Sequence, residues 1–303
     1  MFTRIFILLV VISTVCQEAI SQENDHYIVQ LNEVKAAIPS TLWGIFFEDV
    51  NRAGDGGLSA EMIINGSFEF YKSRMGWKML EERSQFGVLV LQNREAEKIS
   101  NPRYLQVDLP KTGKAGIVND GFGGMVFKKG LQYNFSMKYR IHQPGLKIII
   151  QLLNRAGEPV ADTSFVPAKN GQWSECSIGL ISKDTSSKGK CRIWFEGEGK
   201  MDIDMLSLFP SDTWKKQPNG LRNDLASLMS EMKPGFLRFP GGCIIEGDRI
   251  SERYQWKKTI GPMDQRQLII NSWNSRAVGR ENPSYFQSFR LGFLEYFKLC
   301  EDI

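Results

Sequence analysis

Histidine, cysteine and long apolar runs are scarce in this sequence of 303 residues. The two histidines, His26 and His142, lie far apart and in different predicted segments. Catalytic triads and many metal sites depend on histidine, so we expect neither a histidine-based triad nor a metal site.

Cysteine is too sparse to build a scaffold. Five cysteines are present, and four of them follow residue 21: Cys176, Cys191, Cys243 and Cys300. Their spacing fits no zinc-binding pattern, and four cysteines in a chain of this length do not form a disulfide framework. Cys176 and Cys191 lie in neighbouring strand-like segments, where a disulfide and two free thiols fit about equally well.

A strong charge of one sign is also lacking, since the formal net charge is +4. Such a mild excess does not favour nucleic acid as a partner. Hydrophobic residues make up 42% of the chain and charged residues 24%, as is typical of a soluble globular protein. The length allows two domains.

The longest apolar run, residues 5–15, lies at the N-terminus and is too short to span a bilayer comfortably. Small residues at Ala19 and Ser21 predict a signal peptide, residues 1–21, that is cleaved after Ser21. Lipidation of Cys16 is the alternative, although the residues before it form a poor lipobox. We therefore expect a secreted or periplasmic protein without stable membrane insertion.

Two apolar runs, residues 42–49 and 236–248, end in polar or glycine-rich segments and predict buried strands. The first ends in Glu48 and Asp49, and the second contains Arg238 before a Pro-Gly-Gly turn. A buried guanidinium needs an anionic partner, so we expect the second strand to open into a polar site. An ordinary strand with a structural ion pair explains the same pattern.

Between these runs, residues 66–210 contain short β-rich segments separated by turn-forming residues. Eight strands are predicted, at residues 86–91, 104–109, 124–127, 133–141, 147–153, 173–181, 190–195 and 201–209. The lack of helical periodicity predicts a β-sandwich, with a jelly roll as the favoured arrangement. One more strand is predicted near the N-terminus, at residues 26–31.

After residue 210 the hydrophobic period becomes helical. Apolar side chains recur on one helical face over residues 221–232 and again over residues 286–300. Strand, helix, strand and helix therefore alternate, as at the start of an α/β fold. The β-sandwich is inserted between the first strand and the first helix.

These segments resemble the α-L-arabinofuranosidases of glycoside hydrolase family 51. Residues 42–49, Leu-Trp-Gly-Ile-Phe-Phe-Glu-Asp, resemble the opening barrel strand of that family. Residues 56–69 resemble the next block of the family, and residues 236–248 resemble its Arg-Phe-Pro-Gly-Gly block. The segments that follow in the family are matched by Trp256, by residues 260–262 and by residues 294–303. The insert resembles a carbohydrate-binding module of the family 4 and 9 type.

The resemblance implies the N-terminal portion of a TIM (β/α)8 barrel that is interrupted by a jelly-roll β-sandwich. The implied divisions are a signal peptide over residues 1–21, N-terminal strands over 22–65, the module over 66–210 and the start of the barrel over 211–303. The resemblance also implies a retaining glycosidase with two catalytic carboxylates and no cofactor. Neither carboxylate has a match in this sequence, so we expect both beyond Ile303 and expect the 303-residue chain to be inactive.

The resemblance assigns roles to several residues of this sequence. Glu48 matches the glutamate that binds arabinofuranose hydroxyls, and Arg238 matches the arginine that positions and charge-stabilises the nucleophile. Gly242 and Cys243 match the loop that lines the sugar subsite. Many relatives have asparagine in place of Cys243, so backbone contact is expected there. A catalytic pair of Glu48 with Glu246 is a competing hypothesis that the resemblance does not favour.

The insert offers five aromatic side chains that could stack on sugar rings: Trp77, Tyr104, Phe122, Trp173 and Trp194. Most aromatic residues in such a domain belong to the core, so we expect at most two of them to be exposed.

The favoured function is the N-terminal part of a secreted α-L-arabinofuranosidase. Its implied partner is an arabinose-containing polysaccharide or oligosaccharide, such as hemicellulose or pectin. A non-catalytic carbohydrate-binding protein is the alternative, and a fragment without a function of its own is a third possibility.

Overall fold

The computed structural model describes residues 27–81, 83–84, 87–94, 99–168, 171–247, 249–270, 272–275 and 286–303. The chain divides into two compact units, of which the first ends at Pro39 and the second spans Ser40–Ile303. The predicted signal peptide and Cys16 lie outside the described residues. Among the described helices, none is long and apolar enough to cross a membrane.

The strand predicted at residues 26–31 is wrong over residues 27–31, the part that the structure describes. This stretch is irregular, and its side chains are exposed, with Tyr27 and Ile28 both at 86% exposure. The alternating pattern is present, but a strand is stable only when it pairs with another strand and packs on a core.

Two short parallel strands pair in a sheet of their own: β1 (Ile45–Phe46) and β12 (Leu237–Arg238). Gly44 permits the pairing, because a Cβ there would lie 2.4 Å from the carbonyl oxygen of Phe236. The two segments that the sequence singled out are therefore neighbours, as expected.

The prediction that both strands are buried is wrong. β1 covers only 2 residues of the predicted run, and Phe46 is 52% exposed. Arg238 is exposed as well, while Leu237 is half-buried. The reason is that the sheet contains two strands, so the described residues provide no neighbour on either outer edge.

The other ten strands among the described residues form one large hydrogen-bonded sheet. They are β2 (Trp77–Leu80), β3 (Arg83–Ser84), β4 (Gly87–Asn93), β5 (Arg103–Asn119), β6 (Met125–Phe127), β7 (Gln132–Gln143), β8 (Leu146–Leu153), β9 (Pro159–Phe165), β10 (Ser174–Ile181) and β11 (Ser186–Pro210). All of their pairings are antiparallel.

The long strands β5 and β11 divide this sheet into two halves. Residues 190–197 of β11 pair with β8, and residues 200–210 pair with β7. Side chains from both halves meet in one apolar core, where Phe135, Ile148 and Phe195 are fully buried. Residues 66–210 are thus predominantly β, as the sequence predicted.

The sequence pattern misplaces some strand ends. It does not predict β2, β3 and β9, and it breaks β11 into two strands. β11 instead continues through a bulge between Gly197 and Gly199, which have φ values of 117° and 158°. Glycines and lysines are typical of turns, but a bulge uses glycine in the same way while the hydrogen-bonded ladder continues.

Of the two alternatives for Cys176 and Cys191, the disulfide is wrong and the pair of free thiols is confirmed. β10, which carries Cys176, pairs with β7 and not with β11. Burial raises the pKa of Cys191 to about 12 and the pKa of Cys176 to about 11. Both thiols therefore behave as small apolar groups.

The α-helices in the described part of the chain are α1 (Asn223–Glu231), α2 (Ser272–Ser275) and α3 (Phe293–Asp302). α1 agrees with its prediction, but the last helix begins at Phe293 and not at Phe286. Gly292 fixes this start, because its N–H donates to Oε2 of Glu295 at 2.9 Å. Phe286 stacks instead on Phe70, with ring centroids 4.1 Å apart.

Candidate functional site

Glu48 lies where the two parallel strands end. It follows β1 by two residues, and the loop after β12 lies against its carboxylate. Oε1 of Glu48 accepts hydrogen bonds from the N–H groups of Gly242 and Ile244, each at 3.1 Å. Oε2 has no hydrogen-bond partner in the described part of the chain, so it is available to accept from a ligand hydroxyl.

The closeness of this loop to Glu48 depends on glycine. Gly241 has a φ of 146°, and a Cβ there would lie 2.6 Å from Cγ of Glu48. A Cβ on Gly242 would lie 3.7 Å from Oε1, which is ordinary contact. The Pro-Gly-Gly turn therefore lets the backbone approach the carboxylate, and position 241 is the stricter of the two.

Arg238 lies on the neighbouring strand, but its surroundings differ from the prediction. Its guanidinium carbon lies 4.3 Å from the centroid of the Phe46 ring. The side chain is exposed and makes no ion pair with the residues that the structure describes. The expected buried anionic partner is therefore wrong, because a solvated guanidinium needs no counter-ion and is stabilised here by an aromatic face.

Cys243 and Glu246 belong to the same loop. Both side chains are exposed, and the carbonyl oxygen of Cys243 accepts a hydrogen bond from the Ser272 hydroxyl at 3.3 Å. The structure therefore places Glu48, Gly242 and Cys243 at one end of the two strands. The hypothesis of a catalytic pair between Glu48 and Glu246 stays a prediction.

Two buried carboxyl groups next to this site escaped the sequence analysis. Asp49 accepts a hydrogen bond from Gly54 N–H at 2.7 Å, and Asp55 accepts two from Ser288, at 2.8 and 2.9 Å. Burial, together with the negative charge of Asp55, raises the pKa of Asp49 to about 7. Burial also raises the pKa of Asp55, against the effect of its hydrogen bonds to Ser288 and of the charge of Arg290.

These carboxyl groups connect the loop after Glu48 to the segment before α3. The side-chain amide of Gln287 donates to Oδ2 of Asp49 at 3.4 Å, and its Oε1 is buried without a hydrogen-bond partner. The only sequence signal was a second carboxylate directly after Glu48 and a third in a glycine-rich loop. Glycine-rich loops usually lie at the surface, whereas Asp49 and Asp55 are each 7% exposed.

The five aromatic side chains of the insert are mostly covered. Trp77 is buried, and the other four are half-buried. The guanidinium carbon of Arg94 lies 5.1 Å from the ring centroids of both Tyr104 and Trp173, and that of Arg140 lies 5.7 and 5.0 Å away. A sugar ring could stack on the guanidinium-covered faces of Tyr104 and Trp173 only by displacing the side chain of Arg94 or Arg140.

The guanidinium groups are themselves fixed by buried carboxylates. Asp202, which is fully buried, accepts hydrogen bonds from Arg140, from Gln106 and from the His142 ring nitrogen at 2.7 Å. Asp204 lies 3.4 Å from Arg94. This polar cluster is satisfied internally, which makes it a poor platform for a ligand.

Comparison with known proteins identifies close similarities. Residues 228–303 match the family model described as the alpha-L-arabinofuranosidase 1 domain. An extracellular exo-alpha-L-arabinofuranosidase of Streptomyces chartreusis is 33% identical over 283 residues, which cover 88% of this chain and 32% of that protein. Alpha-L-arabinofuranosidase 1 of Arabidopsis thaliana is 30% identical over 281 residues, with 88% and 39% coverage.

A solved structure agrees with the sequence matches. The arabinose-bound MgGH51 α-L-arabinofuranosidase superposes with a TM-score of 0.74 at 28% identity, over 88% of this chain and 43% of that chain. The chain thus spans between 32% and 41% of the length of the curated relatives that it matches. By sequence and by structure, it matches the N-terminal part of the α-L-arabinofuranosidases of glycoside hydrolase family 51.

Proposed function

We propose that this chain forms the sugar-binding N-terminal part of a secreted α-L-arabinofuranosidase. The observation that carries the proposal is the position of Glu48. Its carboxylate lies at the C-terminal ends of two adjacent parallel strands and is held there by two backbone N–H groups. Active sites of barrel enzymes gather at this end of the strands.

The chemistry of Glu48 suits a furanose with free hydroxyl groups. Oε1 is held by the loop, so Oε2 can accept from a sugar hydroxyl without rearrangement. Bonds to an ionised carboxylate are stronger than bonds between neutral groups. Gly242 and Cys243 line the same end of the strands, and they contact the sugar through their backbone.

Arg238 contributes charge beside this site. In a retaining mechanism a carboxylate nucleophile attacks the sugar and a second carboxylic acid protonates the leaving oxygen. A guanidinium near the nucleophile keeps that carboxylate ionised and fixes its orientation. We propose this role for Arg238, with both catalytic carboxylates supplied from outside this sequence.

The proposed architecture is the start of a (β/α)8 barrel with a jelly-roll module inserted after the first strand. β1, α1 and β12 form the first β–α–β unit, and residues 66–210 form the module. The matched Streptomyces protein is named extracellular, which supports export by a signal peptide over residues 1–21. Arabinose-containing glycans are the proposed substrate class.

The proposal is tested by binding to the 303-residue chain. We expect methyl α-L-arabinofuranoside to give a saturation-transfer NMR signal with the wild-type chain and none with Glu48→Gln. The variant keeps the size of the side chain but removes its charge. Glu198→Gln, an exposed glutamate in the bulge of β11, is the matched control and should bind normally.

Hydrolysis provides a second readout of the same proposal. The catalytic carboxylates are assigned outside this sequence. The chain alone should therefore release no more 4-nitrophenol from 4-nitrophenyl α-L-arabinofuranoside than a buffer blank does. Equal binding by wild type and Glu48→Gln, or turnover by the chain that is lost in Glu246→Gln, would overturn the assignment.

A further inference from the structure

A cleft of about 440 Å³ lies between the β-rich region and the start of α1. Its walls are residues 59–62, the turn and strand around β6, and the first turn of α1. This volume falls within the usual range for small-molecule and sugar sites. None of the residues that Glu48 contacts belongs to this lining.

One part of the lining is apolar. Met62, Phe122, Met125 and Leu131 line the cleft, together with the buried aromatic Tyr133. Sugar rings have apolar C–H faces that pack well on such side chains. Unlike Tyr104 and Trp173, Phe122 has no guanidinium over its ring from any residue that the structure describes.

The polar part of the lining carries two ion pairs. Lys128 Nζ lies 2.7 Å from Asp212 Oδ2, and Arg222 Nη2 lies 2.5 Å from Asp224 Oδ2. Glu61, the third carboxylate of the lining, is buried and pairs with Arg290 at 2.8 Å. Each charged side chain of the cleft therefore has a counter-charge, so the cleft has little attraction for an ionic ligand. It presents both donors and acceptors at its rim, which suits the hydroxyl groups of a neutral glycan.

The cleft lies on the same end of the fold as Glu48. In a β–α–β unit the helix runs antiparallel to its two parallel strands, so α1 begins at the end where β1 and β12 finish. Gly56, which lines the cleft, belongs to the loop that Asp49 holds through Gly54. A glycan chain could therefore reach from the cleft toward the sugar site.

We propose that this cleft binds the neutral pentose main chain to which the arabinofuranosyl group is attached. The inference rests on the proposed function, since it takes Glu48 as the site of the terminal sugar. The cleft would select polymers by their main chain, while Glu48 would bind the terminal arabinofuranosyl group. Xylan and arabinan are two sources of the same chemistry.

The test is a ¹⁵N–¹H NMR titration of the 303-residue chain with 1,4-β-xylohexaose and, separately, with 1,5-α-arabinohexaose. Binding in the cleft should shift the amide signals of Gly124, Val126 and Asn223. Lys128→Ala and Arg222→Ala should each weaken binding about tenfold, the effect of removing one charged hydrogen-bond donor. Lys129→Ala, an exposed neighbour outside the lining, should leave the affinity unchanged.

The two arms identify the polymer, because shifts with only one hexasaccharide assign the main chain to xylan or to arabinan. Three results would overturn the inference. The chain could bind neither hexasaccharide, or Lys128→Ala and Arg222→Ala could bind with the same affinity as wild type. The amide shifts could also be confined to the residues around Tyr104 and Trp173. Thermal melting of each variant checks that it is folded. Methyl α-L-arabinofuranoside binding at Glu48 is measured independently, so failure of the cleft leaves the proposed function standing.

Discussion

Two regions of the chain differ in how completely they bury their apolar side chains. They are the β-rich region, residues 66–210, and the β/α region, which consists of residues 40–65 and 211–303. In the β-rich region, Phe135, Phe195 and Ile203 are fully buried between the halves of the sheet. In the β/α region, Phe46, Phe236 and Phe297 are each at least half exposed. The first region is therefore stabilised by its own core, whereas the second presents an open face around the proposed sugar site.

This difference explains why the two regions respond differently to the same substitution. Removing a fully buried phenylalanine leaves a cavity, and its cost includes both lost burial and lost packing. Removing an exposed phenylalanine costs little, since most of its surface already contacts water.

The largest expected effect is in the β-rich core. Phe195→Ala should lower the free energy of unfolding by about 3–5 kcal/mol. Phe46→Ala, at a residue that is 52% exposed, should lower it by less than about 1 kcal/mol. Urea denaturation of both variants measures the difference, and similar losses would show that the contrast between the regions is wrong.

The buried Asp49 should give the next effect, in the pH dependence of stability. Its pKa is raised from 3.8 to about 7, so the folded chain keeps a proton that the unfolded chain releases. The stabilisation is complete below about pH 4 and is lost as pH rises toward 7, by on the order of 2–4 kcal/mol.

Asp49→Asn removes this titration and should flatten the decline in stability between pH 4 and 7. Part of the decline should remain, because burial also raises the pKa of Asp55. Asp162→Asn, at an exposed residue, is the control and should leave the pH profile unchanged. Denaturant unfolding at several pH values measures all three proteins, and a profile for Asp49→Asn identical to wild type would contradict the assignment.

A smaller effect is expected from Gly241→Ala. Positive φ costs an alanine about 1–2 kcal/mol wherever it occurs, and at this position the new Cβ would also collide with Glu48. Gly123→Ala has a φ of 113° but no atom within 4 Å of its Cβ, so it reports the backbone cost alone. Gly241→Ala should be destabilised more than Gly123→Ala and should also lose arabinofuranoside binding. Equal destabilisation with retained binding would show that the close approach is not needed.

The sequence predicts the β-rich region better than it predicts the β/α region. The β-rich region was largely predictable, because alternation along β7 and β8 reflects partners that lie within the chain. One of its errors falls at residues 197–199, where glycines form a bulge and not a turn. Local composition does not distinguish these two uses of glycine.

The residues of the proposed sugar site could be predicted from the sequence, but their burial and their contacts could not. The segments carrying Glu48 and Arg238 are neighbours, as the sequence suggested. Their burial was misjudged, because an apolar run does not reveal whether partner strands are available. Asp49 and Asp55 were missed, because their burial depends on Gln287 and Ser288, which lie more than 230 positions away in sequence.

The most direct test of the central claim observes the two N–H groups that hold Glu48. Titration of the ¹⁵N-labelled chain with methyl α-L-arabinofuranoside should shift the amide signals of Gly242 and Ile244, since the sugar engages the carboxylate to which they donate. The same titration of Glu48→Gln should leave these signals in place. Unchanged Gly242 and Ile244 signals in the wild-type chain would contradict the assignment of Glu48 as the sugar-binding residue.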